Sequence, residues 1–207
     1  MIEDVEVFWM DERLLAADTI VFDVGNVLLS FDPPAVAGLL PEAYRGRLYD
    51  ALFGEKRLWS KFDLGAECSV TVAQEAARAA GLPEQSAWVM YLLEHFPETM
   101  LPLPLYGMIR ELKALGKKLY ALTNYPEPSF TLTCARFPLL QLLDGAVVSS
   151  REKTVKPDPA IYRILTARYS ISPASALFID DTAANAEAAA RMGFTAWHYA
   201  GNDRIFQ

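Results

Sequence analysis

Histidine and cysteine are scarce, with two of each in 207 residues. His95 and His198 give a zinc–histidine centre or a Ser-His-Asp triad little to work with. Cys68 and Cys134 lie far apart and lack metal-type spacing. A chain of this length needs no disulfide staple, so a reducing compartment is expected. Long apolar runs are also missing: none approaches the roughly 20 residues that span a bilayer. Met1 to Asp18 carries six acidic residues and one arginine, unlike the basic start of a signal peptide. A cytoplasmic protein without a membrane partner is the expectation.

Clustered positive charge is absent as well. The formal net charge is −7, and no basic run is longer than Lys117-Lys118, which argues against a nucleic-acid surface. A Walker phosphate loop, a Gly-x-Gly-x-x-Gly turn, a Gly-x-Ser-x-Gly elbow and a His-Glu-x-x-His pair are all missing. An acidic chain that handles phosphates must therefore supply positive charge locally, from a metal, a lysine or backbone N–H groups.

Hydrophobic residues make up 52% of the chain and charged residues 22%, ordinary values for a globular enzyme. Five short apolar runs read as buried strands: Thr19–Phe22, Lys118–Leu122, Ala146–Ser149, Ala176–Ile179 and Thr195–Tyr199. Helical patterns separate most of the later ones. Leu105–Leu115 has helical spacing and is followed by Gly116. Asp158-Pro159 forms an N-cap and first-turn proline for a helix through about Ala167. The alanine-rich Ala183–Met192 stops at Gly193. This alternation predicts an α/β fold, a Rossmann-like parallel sheet flanked by helices.

The stretch from about Pro33 to Pro102 contains no convincing strand. Helical segments are expected near Ala35–Phe53, Val70–Ala80 and Glu84–His95, with turns at Gly65 and Gly81-Leu82-Pro83. Roughly 70 residues is too long for an ordinary connection. The expected organisation is an N-terminal arm (1–17), a catalytic core (18–32 and 103–207) and an inserted α-helical cap domain (33–102). Ser30–Pro34 and Phe96–Pro104 would be the hinges.

Four segments carry chemistry. Thr19-Ile-Val-Phe-Asp23-Val-Gly25-Asn26-Val27 puts a carboxylate where an apolar strand enters a glycine-containing loop, the place where open parallel sheets bind ligands. Lys118-Leu-Tyr-Ala-Leu-Thr123-Asn124 ends a strand in a hydroxyl and an amide suited to phosphate oxygens. Lys153-Thr-Val-Lys156-Pro157-Asp158-Pro159 sets a lysine just before a helix start. Ala176-Leu-Phe-Ile-Asp180-Asp181-Thr182-Ala-Ala-Asn185 ends a strand in adjacent carboxylates, costly unless a cation or hydrogen-bond donors compensate them. Magnesium, a hard ion, is the natural partner. Each segment alone has a bland reading as a turn residue or a solvated lysine.

Taken in order, the four segments resemble the haloacid dehalogenase superfamily, in its phosphatase branch with a helical cap after the first motif. The likeness runs from Thr19 to Tyr199, and the Asp-x-Gly-Asn-Val form resembles a subgroup that includes sugar-phosphate phosphatases. It implies that Asp23 attacks phosphorus and becomes an aspartyl phosphate. It further implies Mg²⁺ held by Asp23, the Gly25 carbonyl and Asp181, with Asp180 in support and Asn185 orienting metal-bound water. Thr123, Asn124 and Lys156 would bind the phosphoryl group of a small phosphorylated metabolite. A monomer or homodimer would suffice.

Gly25 departs from the family pattern, in which many members carry there a second aspartate that protonates the leaving group. Asp32 and Glu127 are candidate replacements; alternatively the leaving group departs unaided. Trp59, Phe62 and Asp63, before Gly65, could face the site or pack within the helices, and Tyr125 and Glu127 are further candidate substrate contacts. The rival activity is metal-independent dehalogenation of 2-haloacids, for which the Asp180-Asp181 pair has no use. A phosphomutase, which needs the missing acid more, and a non-catalytic binding protein complete the alternatives.

Overall fold

The computed structural model describes residues 10–200. The first nine residues of the expected arm, and positions 201–207 of the expected core, lie outside the described residues. In chain order the helices are α1 (Glu12–Ala16), α2 (Pro33–Ala37), α3 (Glu42–Phe53), α4 (Trp59–Leu64), α5 (Ser69–Ala79), α6 (Ser86–His95), α7 (Pro104–Gly107), α8 (Ile109–Ala114), α9 (Ser129–Arg136), α10 (Ser149–Glu152), α11 (Pro159–Tyr169) and α12 (Ala183–Arg191). The strands are β1 (Thr19–Phe22), β2 (Lys118–Thr123), β3 (Gly145–Val148), β4 (Ala176–Asp180) and β5 (Thr195–His198).

All five strands pair in parallel, in the order β3-β2-β1-β4-β5. The chain moves outward from β1 through β2 to β3, then returns to the other side of β1 for β4 and β5. The order therefore reverses between β1 and β4, and ligands of such sheets bind outside the carboxyl ends at that point. Alternate strand residues feed two cores. Ile20, Phe22, Leu119, Ala121, Leu177 and Ile179 join the core that continues into the helices of the 33–99 region through Val72, Leu92 and Phe96. Val21, Tyr120, Leu122, Val147 and Phe178 face Ile161, Tyr162 and Leu165 of α11.

Capping chemistry holds as read. The Asp158 carboxylate accepts from the Ala160 N–H at 2.8 Å to open α11, while Gly116 and Gly193 take positive φ beyond α8 and α12. Expected long helices are divided. Leu105–Leu115 breaks at Met108, next to Gly107, whose backbone freedom weakens a helix interior. Ala35–Phe53 breaks between Gly38 and Pro41, because proline offers no N–H to continue the ladder. The end of the expected arm forms α1: Asp11 caps it, Leu14 is fully buried, and Lys117 donates to the Leu15 and Ala17 carbonyls.

The two expected hinges lie side by side. Ser30 N–H donates to the Leu101 carbonyl, and Leu101 N–H donates back to Ser30 Oγ at 2.9 Å. Farther out, α4 ends at Gly65 with φ +61°. A Cβ there would meet Ser150 backbone atoms at 2.5 and 2.7 Å. Gly65→Ala is expected to lower the unfolding free energy in urea by at least about 2 kcal/mol, combining left-handed strain with overpacking. A change below about 0.5 kcal/mol would mean that α4 does not press on α10 in this way.

Candidate active site

Asp23 leaves the carboxyl end of β1, and its N–H donates to the Ile179 carbonyl of β4 at 2.8 Å. This bond extends the sheet pairing by one residue and fixes where the carboxylate emerges. Asp180, the last residue of β4, and Asp181 after it emerge beside Asp23. Carboxylate oxygens of the three residues lie within 4.8 Å of one another. Three carboxylates so close would repel strongly unless opposed by positive charge.

Lys156 provides it. Its side chain is fully buried, with Nζ 2.9 Å from Asp23 Oδ2 and 2.7 Å from Asp180 Oδ2. Burial works against the ammonium charge, but attraction from the two carboxylates outweighs it and holds Lys156 above the ordinary lysine range. Burial raises the Asp23 carboxyl to about 6, against the opposing pull of Lys156, with the charge of Asp180 adding to the rise.

The neighbours hold these groups in place. Asn124 spends its amide on Lys156: Nδ2 donates to the Lys156 carbonyl at 3.0 Å, and Oδ1 accepts from the Lys156 N–H at 2.8 Å. The amide expected to meet phosphate lines the recess and is bonded to the backbone of the lysine. Asp180 accepts from Lys156, from the Thr182 N–H at 2.9 Å and from Asn185 Nδ2 at 3.0 Å. Asn185, expected to orient metal-bound water, is buried, and its Nδ2 donates to Asp180. Thr123, the last residue of β2, is buried, and its hydroxyl joins Lys156 in opposing the rise of the Asp23 carboxyl. Asp181 is half-buried, and its Oδ2 accepts from Asn26 Nδ2 at 3.2 Å.

Asn26 carries more structure than its sequence position suggests. It takes a left-handed φ of +55°, a conformation asparagine tolerates better than most residues, and its Oδ1 accepts from the Phe31 N–H. One side chain thereby ties the loop after β1 to Asp181. Gly25 has space around it, since an added Cβ would meet only Phe31 Cβ, at 3.8 Å.

A recess with a water-accessible volume of about 180 Å³ opens above Asp23. Asp23, Gly25, Asn26, Asn124 and Asp181 form its floor, and Phe31, Trp59, Asp63, Phe96, Tyr125 and Pro126 its walls. Ring centroids of Trp59 and Phe96 lie 5.3 Å apart, and those of Phe96 and Tyr125 5.5 Å. The aromatic wall is therefore also packing between the 33–99 helices and the sheet. Trp59 and Asp63 reach the recess, whereas Phe62 is buried against Trp59 without lining it.

Neither candidate replacement acid lies there. Asp32 is exposed, and Glu127 is ion-paired with Arg151 and bonded to Thr131. The sequence gives little sign of the part played by the Asn26 side chain, and it marks Asp63 only as a residue that could face the site. The positive-φ preference of asparagine after a glycine was the one signal available for the first.

A parallel sheet that gathers an aspartate, an acidic pair and a buried lysine at its order reversal defines an α/β enzyme built around a carboxylate. The family model for haloacid dehalogenase-like hydrolases matches residues 17–193, and the chain belongs to that family. It is 33% identical over 92 residues to a sesquiterpene phosphatase of Aspergillus oryzae, covering 44% of this chain and 47% of that protein. It is 26% identical over 187 residues to acyl-CoA dehydrogenase family member 10 of Mus musculus, covering 84% of this chain and 17% of the relative. The chain thus spans under half the length of either relative.

Among solved structures, a haloacid dehalogenase family enzyme of Bacteroides thetaiotaomicron in complex with magnesium and inorganic phosphate superposes with a TM-score of 0.73 at 16% identity. The match covers 91% of this chain and 96% of that one. The L-2-haloacid dehalogenase of Xanthobacter autotrophicus superposes at 0.60 with 20% identity, over 86% and 75% of the two chains. These likenesses establish the shared fold.

Lys156→Met leaves Asp23 and Asp180 without their cation. Breaking a buried ion pair in this way typically costs about 3–5 kcal/mol. Asp23 can relieve part of the cost by taking up a proton, which raises its folded pKa further above the unfolded value near 4. Stability from a raised carboxyl is fully present below the unfolded pKa and is lost as pH rises through the folded one. Urea unfolding is therefore expected to show a small deficit for the variant near pH 4 that widens toward pH 7.5. A deficit independent of pH would contradict the pairing.

Proposed function

We propose that the chain is a magnesium-dependent phosphomonoester hydrolase that acts through an aspartyl phosphate on Asp23, with a small phosphorylated metabolite as substrate. One observation carries this reading: Asp23 stands at the floor of the recess, with a buried ammonium on one side and an acidic pair on the other. The oxygen-only donor set suits a hard divalent cation. Asp23, the Gly25 carbonyl and Asp181 would hold it. Asp180 would stand behind them, since its oxygens already serve Lys156, Thr182 and Asn185. Bound there, the ion supplies charge that offsets repulsion between a phosphate dianion and Asp23.

The chain's own residues do the rest. Lys156 commits two of its three N–H donors to Asp23 and Asp180, leaving one for a phosphoryl oxygen. Thr123 and the lysine keep Asp23 aimed at the open side. An Asp23 oxygen attacks phosphorus as the ester P–O bond breaks, and water later displaces phosphate from the carboxylate. Asn124 and Asn185 act by positioning, the first on Lys156 and the second on Asp180. Residues 33–102 serve as the cap that walls the site and restricts water, over a core of 18–32 and 103–207.

Among small phosphate esters, the aromatic wall favours a flat or apolar leaving group over a polyol. A cavity of about 150 Å³ holds a benzene-sized ligand, so a larger substrate must project through the open side of the recess. The likeness to the Aspergillus oryzae sesquiterpene phosphatase supports an apolar substrate. A sugar phosphate, as the Asp-x-Gly-Asn-Val form implied, is the competing substrate class, and a screen of small phosphate esters with Mg²⁺ that contains both kinds separates the two.

Asp23→Asn is expected to lower phosphatase kcat on the order of 10³-fold or more, without loss of folded structure. Exhaustive treatment with EDTA should abolish turnover, and added Mg²⁺ should restore it. Halide release from 2-chloropropionate that survives chelation would instead establish the dehalogenase. Absence of turnover together with failure to bind beryllium fluoride would favour a non-catalytic binding protein.

A further inference from the structure

We propose that Asp63, carried over the strand ends by α4, donates the proton to the leaving oxygen and so fills the role that Gly25 cannot. The inference rests on the phosphatase reading above. Asp63 lines the same recess as Asp23, on its cap side. Its carboxyl group has no hydrogen-bond or ion-pair partner among the described residues, while the other acidic groups nearby are committed. Asp180 accepts from three donors, Asp181 accepts from Asn26, and Glu127 is paired with Arg151.

The backbone around Asp63 is fixed to the sheet domain. Ser149 Oγ donates to the Asp63 carbonyl. Two residues on, the Lys153 ammonium binds the Gly65 carbonyl and also the Ser150 carbonyl, at 2.7 Å. Gly65 lies so close to Ser150 that no side chain fits between them. Ser149 opens α10 directly after β3 and Lys153 follows its last residue, so the segment that carries Asp63 is held at the rim of the recess by the core itself. This anchoring meets the first demand on a general acid, which is position.

Protonation is the second demand. Burial holds the Asp63 carboxyl well above the ordinary range, the charge of Asp23 pushes the same way, and Lys156 opposes both. In the first step an Asp23 oxygen bonds to phosphorus and the ester P–O bond breaks. Its electron pair goes to the leaving oxygen, which takes the Asp63 proton. In the second step Asp63, now a carboxylate, takes a proton from water as the water oxygen bonds to phosphorus. The P–O bond to Asp23 then breaks, orthophosphate leaves, and both carboxyl groups return to their starting states.

The test compares esters that differ in their need for a proton. Benzyl phosphate releases a poor alkoxide leaving group, whereas p-nitrophenyl phosphate releases a stable phenoxide. Asp63→Asn is expected to lower kcat/KM for benzyl phosphate by about 10²-fold or more, and for p-nitrophenyl phosphate by less than about fivefold. The retained aryl activity shows that the variant is folded. Asp63→Glu, which keeps an acid, should retain benzyl activity within about tenfold of wild type. An equal fall on both esters, or no fall on either, overturns the assignment. Wild-type enzyme that hydrolyses neither ester, or an Asp23→Asn variant that hydrolyses both, overturns the phosphatase reading itself.

Discussion

A single ammonium group, buried between two carboxylates, organises the active end of this molecule. Lys156 contacts Asp23 after β1 and Asp180 at the end of β4. Its backbone is clasped by Asn124 after β2. Taking these charges out of water is expensive, and the mutual attraction repays the cost only with good geometry and full hydrogen bonding. Asp180 meets that condition through Thr182 and Asn185, which also fasten the start of α12. The ion pairs are thus better understood as what fixes the site's geometry than as a source of stability.

Above this floor, packing and function share the same side chains. Trp59 stacks among Phe31, Phe53 and Phe96 and also walls the recess. The core on that side of the sheet runs without a break into the helices between Pro33 and Thr99. Asp63 is the polar exception among those walls. A carboxyl left without a partner in such surroundings is costly unless it stays neutral, and a neutral carboxyl is a proton donor. The chemistry proposed for it combines that raised carboxyl with its place on the recess that also holds Asp23.

Much of the fold was legible because its signals are local. A buried parallel strand reads as a short apolar run, and all five runs are strands within a residue or two at either end. Asp158 and the glycines at 116 and 193 mark helix ends through conformations set by the residues themselves. Short helices such as α4, α9 and α10 escaped notice, because one or two turns show no period and owe their stability to tertiary packing. The divided helices α2/α3 and α7/α8 carried visible warnings in Gly38, Pro41 and Gly107.

The sequence by itself determined the chemical kinds at the site: a carboxylate, a hydroxyl, a lysine and an acidic pair, each placed where a strand ends or a helix begins. Strand–helix alternation brings strand ends to one edge of a sheet, and the family resemblance carried by the order of the four motifs implied that Asp23, Thr123, Lys156 and Asp181 gather there. Which partner each side chain takes was decided only in three dimensions. Asn124 serves a lysine 32 positions away, Asn26 meets Asp181 across 155, and Ser149 fastens Asp63 across 86. Hydrogen bonds between distant segments have no local periodicity or composition to announce them, and whether a carboxyl is burdened or free depends on those bonds.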